Sequence, residues 1–177
     1  MIRRPGFINS DPVNRTRLQS ITGLAGWLLA VYILAAVAAL GSADAPGIYA
    51  SFTLPEWAPP ASVFGPAWSL LYTLMAIAAW LVWKDEEPLK VRFILGLFGV
   101  QLLVNVLWSW LFFAWLKGLY AFLDILLLIP LVMATIAAFW RLGKRLAAVL
   151  MLPYLGWICF AALLNFSVWQ LNPEMLG

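Results

Sequence analysis

The sequence predicts an all-α membrane protein, a five-transmembrane-helix bundle built as one domain. Two observations carry that prediction. Of the 177 residues, 64% are hydrophobic and 11% are charged, and the mean hydropathy is +0.92. Soluble domains carry about 25% charge, and a core of this chain length could not hide so much apolar surface from water. The apolar residues also gather into five stretches, 18–40, 63–83, 92–115, 119–140 and 146–170. Each is close to the ~20 residues that a helix needs to cross a hydrocarbon core.

Residues 1–17 hold Arg3, Arg4, Arg15 and Arg17 and read as a flexible basic tail. The first span precedes Ala43-Asp44-Ala45, which has the small residues of a cleavage site. Its apolar run nevertheless exceeds the ~7–15 residues of a signal-peptide core, so it reads as a retained helix. The one long link, 41–62, contains Pro46, Pro55, Pro59 and Pro60. Proline lacks a backbone donor and favours extended backbone, so residues 54–61 are expected to be stiff and non-helical. Pro66 falls in the first turn of the second span, where a missing N–H costs little. Pro130 and Pro153 are placed to kink the fourth and fifth spans. Residues 171–177 read as a short tail.

Charge supplies an orientation. Ten of the eleven Lys and Arg residues precede the first span, join the second to the third (Lys84, Lys90, Arg92), or join the fourth to the fifth (Arg141, Lys144, Arg145). Only Lys117 lies on the other side. The positive-inside rule places the N-terminus in the cytoplasm and the 41–62 loop outside. The net charge of +3 is spent on this asymmetry, and no nucleic acid partner is expected. Trp83, Trp115, Trp140 and Trp169 stand at span ends, as in an interfacial aromatic belt.

Several chemistries are excluded by composition. There is no histidine, and Cys159 is the single cysteine, so imidazole ligands and an internal disulfide are absent. No lysine lies within a span to hold a retinal Schiff base, and no two carboxylates are placed to share acid–base work. No metal site and no conventional catalytic residues are expected.

What the spans do carry is rings and amides on single faces. Phe64, Trp68 and Tyr72 repeat at +4 in the second span. Gln101, Asn105 and Trp108 follow at +4 and +3 in the third, and Tyr154, Trp157, Ala161 and Asn165 share a face in the fifth. Amides in hydrocarbon must find partners, so these faces point inward, either as glue between helices or as the lining of a cavity. Asp124 is the one ionisable carboxylate inside a span. It serves either a pocket within the bundle or an interfacial position reached by snorkelling.

The pieces LPEWAPPASVFGPAWSLLY (54–72), Gln101–Asn105–Trp108 with Phe112-Phe113, Asp124, and PYLGWICFAALLNFSVW (153–169) resemble the TspO/MBR family in order and spacing. These are the tryptophan-rich sensory proteins related to the mitochondrial translocator protein, or peripheral benzodiazepine receptor. The resemblance implies a homodimer in a bacterial cell membrane, with a pocket between helices closed by the loop after the first. It implies a porphyrin (protoporphyrin IX-like tetrapyrrole) or a benzodiazepine- or isoquinoline-type compound as ligand, membrane lipid as surroundings, and no required cofactor. Trp68, Asn105, Trp108, Trp157 and Ala161 fall where the family lines its pocket, Tyr120 stands where many members have a pocket tryptophan, and Trp57 is the tryptophan of the lid loop. Asp124 completes the expected ligand-binding set. Two further activities come with the resemblance. One is light-dependent porphyrin degradation, with Trp68 and Trp157 as the redox participants; the other is transport of tetrapyrroles or small apolar molecules. Phe166 and Gln170 replace the Tyr and basic residue of the vertebrate cholesterol motif, so strong cholesterol binding is not expected. Gly96 and Gly99 offer close approach for a dimer, three apart rather than the four of GxxxG.

Overall fold

The computed structural model describes residues 15–86 and 88–177. Most of the expected tail at 1–17, including Arg3 and Arg4, lies outside the described residues. Its last residues are docked. Arg15 lies 3.8 Å over the Trp83 ring and donates to the Trp83 carbonyl. Thr16 and Gln19 close a reciprocal capping box, which satisfies orphan N–H groups of the first turn.

Among the described residues, five helical stretches are long and apolar enough to cross a membrane. They are α1 (Arg17–Gly41); α3 (Phe64–Asp85), entered through a 3₁₀ turn (Ala61–Val63); α4 (Pro88–Ser109), continued by a π turn (Trp110–Ala114); α5 (Gly118–Arg141); and the broken pair α6 (Arg145–Leu150) and α7 (Leu152–Leu171). The break at Met151 follows from Pro153, which opens α7 in its first turn and cannot continue a ladder from α6. Pro130 is carried inside α5 without ending it. The described residues add two short helices: α2 (Ala45–Ser51) within the long link, and α8 (Pro173–Leu176), where the sequence suggested only a tail.

α4 packs against both α5 and α1, α5 against α7, and α1 against α3, while α6 seats against α3 and α5. α3 closes onto α7 through large rings. Phe64 and Trp157 meet at 6.0 Å, Trp68 and Tyr154 at 6.3 Å, and Trp68 and Trp157 at 6.4 Å. The bundle is apolar inside and outside. Its core runs through Val31, Met75, Phe98, Leu128, Val132 and Tyr154, yet Leu29, Leu70, Phe93, Leu103 and Leu163 are each more than half exposed. An outer wall of that kind is at equilibrium in lipid and not in water.

Candidate functional site

The site is built where α3, α4 and α7 bring their ring-bearing faces together beneath α2. On α3, Trp68 and Tyr72 are one turn apart and stack at 5.3 Å with their planes 29° apart. On α4, Trp108 stacks on Phe112 at 5.4 Å and meets Phe113 edge-on at 5.9 Å. α2 adds Tyr49, whose ring meets Phe64 at 5.3 Å and whose hydroxyl donates to the Pro59 carbonyl at 2.9 Å. Burial pushes the Tyr49 phenol up from its ordinary pKa, which keeps it a neutral donor.

These rings border two adjacent spaces. The outer chamber has a volume of about 490 Å³ and lies among α1, α2, α3 and α4. Its α1 wall is a run of small side chains, Ala35, Ala36, Ala38 and Ala39, and its far wall is Phe64, Trp68, Trp108 and Phe113. The inner chamber is a narrow slot of about 20 Å³, reaching Trp157, Ala161, Leu164 and Asn165. Tyr49, Phe64, Trp68, Trp108 and Phe113 line both. A rotamer change at one of these rings would therefore join the two.

Most polar groups nearby are already committed. Trp108 Nε1 donates to Asn165 Oδ1 at 3.1 Å, and Asn165 Nδ2 donates to the Gly118 carbonyl at 3.1 Å. Ser69 returns its hydroxyl to Gly65 and Ser42 to Ala38. Tyr32 reaches Ser69 and Thr73. The indole N–H groups of Trp68 and Trp157, by contrast, find no acceptor among the described residues. The chambers thus present broad ring faces.

The expected site residues divide. Trp68 and Trp108 line both chambers, and Trp157 and Ala161 line the inner one. Asn105 lies outside either lining; its Oδ1 accepts from the Tyr72 hydroxyl at 2.9 Å, which makes it a floor support. Trp57 is half exposed and meets Phe160 at 5.9 Å. Phe160 in turn touches Trp157 at 5.7 Å, so Trp57 reaches the chamber only through two rings. Tyr120 is 59% exposed and lines neither chamber. Asp124 is buried inside the bundle and also lies outside both linings. Tyr49 and the α1 alanines were not singled out from the sequence, and Phe113 was noted there only as part of the family pattern. The alanines are visible there as a run of small residues, but nothing marks them as facing a cavity rather than a packed neighbour.

The fold and this site define a class: a multi-pass integral membrane helix bundle with an aromatic-walled chamber under a short capping helix. Residues 26–170 match the TspO/MBR family, and the chain belongs to it. It is 40% identical over 126 residues to the translocator protein of Ovis aries, covering 70% of this chain and 74% of that protein. It is 39% identical over 129 residues to the tryptophan-rich protein TspO of Chlorobaculum tepidum (71% and 79%). To protein CrtK of Rhodobacter capsulatus it is 40% identical over 153 residues (82% and 93%).

Proposed function

We propose that this TspO-type membrane protein binds a tetrapyrrole of the porphyrin class in the outer chamber, as a sensor or scavenger. The carrying observation is the chamber itself: about 490 Å³, walled by rings on one side and alanines on the other. That volume is within the range of small-molecule sites, about 300–1,000 Å³. A flat π-system lies against rings at about 0.5–1.5 kcal/mol per contact beyond area burial. The alanine wall lets its other face approach α1 closely. Free indole donors suit pyrrole nitrogens or carboxylate edges, and the chain offers no imidazole to iron, so metal-free porphyrin is the favoured form.

The ten-to-one asymmetry of Lys and Arg supports a cytoplasmic N-terminus, with the chamber towards the outer face. A homodimer is supported by the open space around Gly96 and Gly99 on α4; crosslinking in native membranes tests it.

Titration of the purified protein with protoporphyrin, followed by tryptophan quenching, tests the binding reading. Trp68→Phe, which narrows the ring face at the outer chamber and removes the indole N–H, should weaken affinity on the order of tenfold. Unchanged affinity would sink the proposal.

A further inference from the structure

Away from the chamber, on the outer wall, α5 ends beside a groove of about 300 Å³. Met133, Ile136, Ala137, Trp140 and Arg141 of α5 line it, with Leu155 of α7. It shares no residue with either chamber.

The turn that closes α5 fixes what stands at the groove's mouth. Gly143 has φ of 81°, the left-handed conformation that ends a helix. Lys144 N donates to the Phe139 carbonyl and Gly143 N to the Trp140 carbonyl, the paired bonds of a Schellman motif. Arg141 and Arg145 therefore flank one tight turn. The Arg145 guanidinium lies 5.6 Å from the Trp140 ring centre. Lys144, between them, is spent on Asp85 and Glu86 at 3.2 and 3.3 Å. Arg141 and Arg145 are exposed and have no carboxylate partner among the described residues. The turn thus consumes one cation internally and leaves two guanidiniums facing outward beside an indole.

Depth fits one lipid. Eight residues separate Met133 from Arg141, about 12 Å of helix, while one leaflet of hydrocarbon is roughly 15 Å deep. The groove runs from the level of the charged turn through most of a leaflet, and every lining side chain below Arg141 is apolar or aromatic. Guanidinium forks match phosphate oxygens, and an indole at the same level suits the headgroup boundary. We propose that this groove is a binding site for an anionic phospholipid. One acyl chain lies along Met133, Ala137 and Leu155, and Arg141 and Arg145 hold the phosphate. Charge complementarity selects this occupant over a neutral lipid.

The site is tested with the full chain in phosphatidylcholine bilayers doped with brominated-acyl phosphatidylglycerol or, in a parallel arm, brominated-acyl phosphatidylcholine. The Trp140 signal is the difference between the unmutated chain and Trp140→Phe. The anionic lipid should quench it at a several-fold lower mole fraction, and the preference should fall towards one in Arg141→Gln with Arg145→Gln. In the unmutated chain the preference should also shrink at about 0.5 M salt, where surface charges are screened within a few ångströms. Equal quenching by the two lipids, a preference indifferent to both the double substitution and salt, or no quenching by either because a second copy covers the groove would each overturn the proposal.

Discussion

Single residues set how closely the ring-bearing helices approach. A Cβ on Gly118 would lie 2.7 Å from the Trp169 ring and 2.9 Å from Leu176 Cβ, so this glycine is required by its neighbours and not by its backbone angles. Gly118→Ala should cost about 1–3 kcal/mol by overpacking, read as a drop in melting temperature in detergent. Gly26→Ala, which meets nothing within 4 Å, should be neutral or stabilising within about 1 kcal/mol; a drop equal to that at Gly118 would contradict the packing argument. Spacing along the sequence put Trp68, Trp108, Trp157 and Ala161 on inward faces, because such faces repeat every three or four residues, and it was the family resemblance that marked them as pocket residues. Spacing was not enough for Tyr49, which enters from a helix too short to show a period. Nor does it separate Asn105, bonded beneath the chamber, from a residue that lines it: both lie on the same face, and only tertiary contacts tell them apart.

At the scale of elements, the lid is held from two directions. Asn172 accepts from Thr53 N at 2.8 Å and donates to Thr53 O at 2.9 Å and Val168 O at 2.7 Å. The C-terminal turn thereby clamps the chain just before the proline-rich segment, and Leu176 of α8 is fully buried against the same cluster. Asn172→Ala should speed hydrogen exchange at the Thr53 amide by an amount equivalent to about 1–3 kcal/mol of local stability, while α4 and α5 keep their protection; unchanged exchange at Thr53 would show that the clamp is idle. Residues 53–60 are non-helical, and Pro60 sits at φ −63° and ψ 147°. Replacing Pro59 and Pro60 with glycine should weaken porphyrin binding by roughly 0.4–1 kcal/mol per site through added loop entropy, with the bundle's melting unchanged. Equal affinity would mean that the prolines only end a loop. Hydropathy located the five spans to within a few residues because a membrane helix must be long and apolar. α2, α8 and the π turn escaped because one or two turns leave no hydropathy signature, and a shift in hydrogen-bond register leaves none at all.

For the whole molecule, the account is a bundle that is apolar on both sides, with its aromatic interior left partly unfilled. The sequence made the solvent legible through composition and the family legible through motif order. The chamber's size was not legible, since it depends on how α1, α2, α3 and α4 come together around four small alanine side chains. That space is the central claim, and filling it is the most direct test. Ala39→Phe places a ring in the outer chamber without altering any tryptophan. Protoporphyrin affinity should fall at least tenfold, while the melting temperature without ligand stays within a few degrees of the parent. Undiminished affinity in that variant would show that the porphyrin does not occupy the space between α1 and the Trp68 ring.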